Sequence, residues 1–97
     1  MDSPQPIRVA QWGQFLATRA SGRAARAHVL AEAPDGLCVL DFSGVEAVTV
    51  AFADELVANL AAAGRPVLIT GAYGDVWHAI ERAVTRRTGL AEVTVRG

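Results

Sequence analysis

A nucleophile, a general base and a metal ligand each leave a spacing signature in a sequence, and this chain offers few of them. His28 and His78 fall on separate predicted helices, outside any HExxH arrangement, and are expected to be packed or surface imidazoles. Cys38 is the single cysteine and sits inside the most apolar stretch. There a small thiol packs as a hydrophobe, and alone it builds neither an internal disulfide nor a zinc cluster. Neither a GxSxG nor a P-loop is present. Gly71-Ala72-Tyr73-Gly74 lies at a strand-to-helix turn that could cradle an anion, with Tyr73 or Trp77 available for stacking. Two glycines alone are a weak signal for that, and the expected reading is simply a turn that needs unusual backbone angles. A small-molecule or nucleotide-binding signalling module is therefore the alternative function. No set of nucleophile, base and orienting group emerges, so the first expectation is a protein without catalysis of its own, needing no cofactor or metal.

The charged residues carry a different message. Arg19, Arg23 and Arg26 are spaced to share one helical face, which reads as a solvated face or, if functional, as a contact for an acidic protein surface. Asp54 and Glu55 are adjacent, so on a helix they point about 100° apart and do not form a facing carboxylate pair. Near a helix N-terminus both are favoured by the dipole. All nine cations of the 97 residues are arginine and face ten acids, for a net charge of −1. That balance argues against a dedicated nucleic-acid binder, and an apolar content of 52% argues against disorder.

These residues need elements to hold them. A chain of this length buries only about 60–65% of its unfolded surface, so one domain spanning 1–97 is expected. Pro4 and Pro6 keep the start extended, and Ile7–Ala10 alternates as a short strand; Gly13 then suggests a hairpin to Gln14–Leu16. Thr18 and Ser21 both suit the N-cap of a helix running to about Ala33, which Pro34-Asp35-Gly36 stops. Leu37–Phe42 is an interior strand covered on both faces. Val45–Val48 cross over to a helix from about Val50 to Gly64 whose Phe52, Leu56 and Leu60 recur every four residues, with Asp54, Glu55 and Ala58 largely on other faces. Arg65–Thr70 is a strand with Pro66 at its entry, and a third helix follows from about Asp75 to Thr88, with Gly89 beyond it. Leu90–Val95 closes the chain as an edge strand. Strand–helix–strand units in succession give an α/β fold, with a mixed central sheet of four to five strands and about three helices packed against it. Self-association through an edge strand, Ile7–Ala10 or Leu90–Val95, is open. The start has no basic and apolar leader pattern, and no run approaches the roughly 20 apolar residues of a membrane span. A cytoplasmic globular domain, with no membrane or nucleic-acid partner, is expected.

One passage is more specific. Leu40-Asp41-Phe42-Ser43-Gly44-Val45-Glu46-Ala47-Val48-Thr49-Val50-Ala51-Phe52-Ala53-Asp54-Glu55-Leu56 resembles the STAS-like domains of the DUF4325 type, in which an LDF-x-G-V segment precedes AFADEL. Gly13-x-Phe15-x-x-Thr18-Arg19 is similar to that family's entry. The LDFSGV part is shared with the broader anti-sigma-factor-antagonist group. In that group the resemblance implies a loop and helix carrying Asp-Ser-Ser/Thr-Gly, where a histidine-kinase-like ATPase, the anti-sigma factor, phosphorylates a hydroxyl that controls binding. Here the aligned positions are Thr49-Val50-Ala51-Phe52, so Ala51 occupies the acceptor position without a hydroxyl. The resemblance implies a regulatory protein-interaction domain whose partner surface comprises Ser43, Gly44, Thr49, Val50, Asp54 and Glu55. The acid pair would face a basic patch, and Val50 would add contact area if exposed. Thr49 is the remaining hydroxyl at the turn. It is expected to be a helix N-cap worth about 1 kcal/mol; as a phosphoacceptor it would be opposed by Asp54 and Glu55 about one turn away.

Overall fold

The computed structural model describes residues 5–96, so the extended start expected at Pro4 lies outside the described residues. The chain runs through β1 (Ile7–Arg8), a 3₁₀ turn (Val9–Trp12), β2 (Phe15–Leu16), α1 (Arg19–Glu32), β3 (Cys38–Asp41) and β4 (Ala47–Val48). Helix α2 then spans 50–62 as Val50–Ala53, a π-helical turn Asp54–Ala58, and Asn59–Ala62; β5 (Val67–Thr70), α3 (Gly74–Thr85) and β6 (Val93–Arg96) complete it. The fold is α/β, with, among the described residues, three helices on a four-stranded sheet ordered β1-β3-β5-β6.

That sheet is parallel throughout its described strands, where a mixed sheet was expected. The cause is connectivity: each step between neighbouring strands passes through a helix, and a crossover returns the chain in the same direction. The expected hairpin at Gly13 does not form. Gly13 follows a 3₁₀ turn, and β2 pairs instead in parallel with β4, making a separate two-stranded ladder. Because the order follows the chain, successive right-handed crossovers step one way and put the helices on one face. There they lie side by side, with α2 between α1 and α3.

Alternation along the strands matches this layering. Leu40 and Ile69 are fully buried in the cross-strand row Ile7–Leu40–Ile69–Val95, whereas the row Arg8–Asp41–Thr70–Arg96 faces the other way and is partly exposed. β3 is interior as expected, and Cys38, Val39 and Leu40 are buried in succession, so side chains on both of its faces are covered. Phe52, Leu56 and Leu60 are fully buried at the expected four-residue spacing. Val57 and Ala58 are buried as well, so Ala58 does not lie on an outer face. A central helix flanked on both sides must bury a wider arc than a peripheral one. Arg65 fastens the end of α1 by donating from Nη2 to the Ala33 carbonyl at 2.7 Å and from Nε to that of Gly36 at 2.8 Å.

Helices α1 and α2 cross at Gly22, which is buried. A Cβ there would stand 2.7 Å from the Glu55 Cβ and 3.0 Å from the Phe52 carbonyl oxygen. In an isolated helix Gly→Ala gains about 1 kcal/mol, but overpacking a tight contact costs about 1–3 kcal/mol. Gly22→Ala is therefore expected to lower the melting temperature by several degrees in a circular-dichroism scan. A raised midpoint would show that the crossing has room to spare.

Candidate functional site

In a parallel sheet with helical crossovers, the strands' carboxyl ends and the helices' N-termini share one end of the molecule. The loop after β3 is built there. The Asp41 Oδ1 accepts the Ser43 backbone N–H at 2.9 Å, and Gly44 turns the chain at φ 86°. The hydrogen bonds from Ser43, backbone first, hold the Asp41 carboxyl below its usual range; burial opposes this and the Arg8 charge assists it. Gly71, at φ 71°, presses on the same turn: a Cβ there would meet the Ser43 hydroxyl, and lie 2.7 Å from its nitrogen and 2.8 Å from the Asp41 Oδ1. The Gly71–Gly74 turn is thus spent at Gly71 on packing against the β3 loop. Trp77, its second stacking candidate, is partly buried against the core. The sequential strand order also lacks the reversal at which α/β sheets open a ligand crevice.

Thr49 sits immediately before α2 with extended backbone angles. Its Oγ1 accepts the Phe52 N–H at 3.1 Å and donates to the Ala17 carbonyl at 2.6 Å, while its own N–H reaches the Leu16 carbonyl at 3.0 Å. It is an N-cap, and it also ties the start of α2 to the entry of α1. Thr18 caps α1 in the same way by accepting the Ser21 N–H at 3.0 Å, so of the two N-cap candidates Thr18 serves and Ser21 is served.

The acid pair is engaged within the chain. Arg87 grips Asp54 with two bonds, Nη2 to Oδ2 at 2.7 Å and Nε to Oδ1 at 3.0 Å, and Arg19 Nη1 donates to Oδ2 at 3.1 Å. Glu55 receives Arg26 at 3.1 Å and Asn59 at 3.1 Å on Oε2; on Oε1 it faces Arg19 at 3.4 Å and Arg23 at 3.7 Å. Arg26 also donates to the Glu55 carbonyl at 2.9 Å, and Arg87 Nη1 to the Asn59 Oδ1 at 2.6 Å. Burial pushes the Asp54 carboxyl up, but the Arg87 and Arg19 hydrogen bonds outweigh it and hold the group below its ordinary 3.8. Two adjacent carboxylates share the Arg19 guanidinium, and α2 widens at this point: the Asn59 N–H reaches back five residues to the Asp54 carbonyl.

Of the expected partner surface, the structure leaves Ser43, Gly44 and Thr49 exposed, Val50 half-buried against the core, and Asp54 and Glu55 beneath arginines. Sequence reasoning missed Gly22, Asn59 and Arg87. Asn59 lies four residues after Glu55, one turn along the same helix, and that spacing was the available signal. His28 stacks its edge on Trp12 at 5.4 Å and meets Glu32 at 3.3 Å, whereas His78 is exposed on α3. Cys38 is buried, and that burial raises its thiol pKa against the pull of Arg65. Among the described residues no group of three His, Cys, Asp or Glu side chains gathers to hold a metal, and no helix is long and apolar enough to cross a membrane. No family model matches the chain, nor does any curated protein or solved structure.

Two outcomes follow from this geometry. Thr49→Ala is expected to cost about 1–2 kcal/mol in denaturant unfolding, with Thr49→Ser recovering most of it; equal loss in both variants would shift the role from the hydroxyl to the methyl. For Asp54, a pKa depressed in the folded state gives stability that is complete above the unfolded value of about 3.9 and is lost as pH falls through the folded one. Asp54→Asn is therefore expected to flatten the acid limb of the stability profile below about pH 4, read as unfolding free energy against pH.

Proposed function

We propose that this chain is a non-catalytic regulatory protein-interaction domain of the anti-sigma-factor-antagonist kind, working in the cytoplasm. Its partner would be a regulatory protein, with a histidine-kinase-like ATPase the first candidate. The sequence support is the LDFSGV–AFADEL passage; the structural support is what surrounds it. Phe15 and Tyr73 are 69% and 65% exposed, the largest values among the exposed large hydrophobic side chains. Both stand at the helix N-terminal end: Phe15 is the register neighbour of exposed Ala47, and Tyr73 opens α3, which packs against β4. Ser43, Gly44 and Thr49 lie at that same end. Exposed aromatics beside a polar rim are the usual composition of a protein-binding hot spot. They supply the apolar contact that half-buried Val50 gives only in part.

With Ala51 at the acceptor position and both hydroxyl functions of Thr49 committed, one to the α2 cap and one to the Ala17 carbonyl, this domain would act by being held rather than by being phosphorylated. A phosphate on Thr49 would have to break the cap and the bond to Ala17. Affinity purification from native cytoplasm, followed by reconstitution with the recovered partner, tests this reading. The expected result is a stoichiometric complex with unmodified Thr49, weakened at least tenfold by Phe15→Ala with Tyr73→Ala while the melting temperature holds. A Thr49 phosphopeptide whose presence governs binding, or the absence of any companion, would overturn it.

A further inference from the structure

The charges gathered where α1 crosses α2 are sorted by depth. The Asp54 and Glu55 side chains are only 17% and 12% exposed, whereas those of Arg19 and Arg23 are 51% and 57% exposed. Four arginines, Arg19, Arg23, Arg26 and Arg87, surround two carboxylates, so the cluster carries a formal +2 in a chain of net −1. The carboxylates lie beneath and the guanidiniums above. A partner approaching this face meets cations.

The arginines also differ in how far they are spent. Arg87 uses Nε, Nη1 and Nη2 on Asp54 and Asn59, and Arg26 places Nη1 on Glu55. Among the described residues Arg19 uses only Nη1, and Arg23 makes no side-chain hydrogen bond, standing 3.7 Å from the Glu55 Oε1. A guanidinium has five N–H donors in a planar fork suited to a carboxylate. Arg19 and Arg23 therefore hold most of their donors in reserve, and both stand within 3.7 Å of one Glu55 oxygen. Glu55 gathers them without saturating them.

We infer that the outer face of α1 over α2 is a docking surface for an acidic segment of a protein partner, with Arg19 and Arg23 as the contacting pair and Glu55 and Asp54 as the template that holds them. The partner presents clustered Asp or Glu side chains here, the reverse of a basic patch seeking the acid pair. A nucleic acid fits less well: a local charge of +2 neutralises few phosphates, and phosphate neutralisation dominates such binding. This inference rests on reading the domain as a protein-binding module but not on the partner being an ATPase.

The test uses the full chain and a fluorescently labelled ten-residue peptide of alternating Glu and Ser, followed by anisotropy at 50 mM salt. Saturable binding is expected, falling with added salt. Arg23→Gln is the informative variant because among the described residues this side chain makes only the 3.7 Å ion pair to Glu55, so folding is kept and checked by the melting temperature. It is expected to weaken peptide binding at least fivefold. Arg96→Gln, on β6 at the far edge of the sheet, removes the same charge and is expected to change binding less than twofold. Absent peptide binding, an equal effect of the two variants, or tighter binding of a ten-residue oligothymidine would each overturn the proposal. Failure here with the aromatic-dependent complex intact leaves the interaction-domain reading standing; failure of that complex with peptide binding intact does the reverse.

Discussion

The close crossing of α1 over α2 at Gly22 is the constraint on which the surface depends. Without a Cβ at that position the Glu55 stem fits against α1, and its carboxylate comes within reach of Arg19, Arg23 and Arg26 from a single helix. A larger residue would push α1 outward and leave partly buried carboxylates without counter-charges, a costly arrangement in a weakly solvated site. Packing and electrostatics are therefore one design here. Asp54, at the start of the π-helical turn, adds the second half by meeting Arg19 and Arg87 while Leu56, Val57 and Ala58 stay in the core.

The N-termini of the same two helices, about one turn from this crossing, are fixed by hydroxyls. Thr49 links the first turn of α2 to the Ala17 carbonyl just before α1, and the β2–β4 ladder runs alongside. Two short strands of two residues each have little stability of their own. They persist because they lead into two capped helices that already pack together. The result is a rigid end on which Phe15 and Tyr73 stand without burial of their own, next to a turn locked by Gly71 against Ser43 and Asp41.

How much of this was legible in the sequence depended on the range of the interaction. Local signals read well: the Thr49 and Thr18 caps, the four-residue period of Phe52, Leu56 and Leu60, and the Pro66 strand entry all act over a few neighbouring residues. Strand direction and pairing did not read, because β2 had two possible partners and the chain between it and β4 contains a whole helix and strand. The acid pair was legible as residues but not as an environment. A helical wheel separates Asp54 from Glu55, and what joins them is the Arg19 guanidinium, which reaches both from another helix. Arg87 is 33 residues from Asp54, so its contact exists only once α3 has been laid beside α2.

The same point applies to charge, where a sum over the chain conceals what a partner meets. A net charge of −1 suggests no preference, yet around Asp54 and Glu55 depth divides the ions into an inner acidic pair and outer arginines. At physiological salt the field of distant surface charges is screened within about 8 Å, so a docking segment senses the nearest guanidiniums and little of the chain's total. Glu55 still matters to that segment, although it lies below them. By holding one oxygen close to both Arg19 and Arg23, it lowers the repulsion between two like charges and restricts two otherwise flexible side chains before any partner arrives. Ordering a long side chain at an interface costs about 0.5–1.5 kcal/mol. An internal carboxylate that has already restricted two of them lowers the cost of binding while leaving their outward donors unspent.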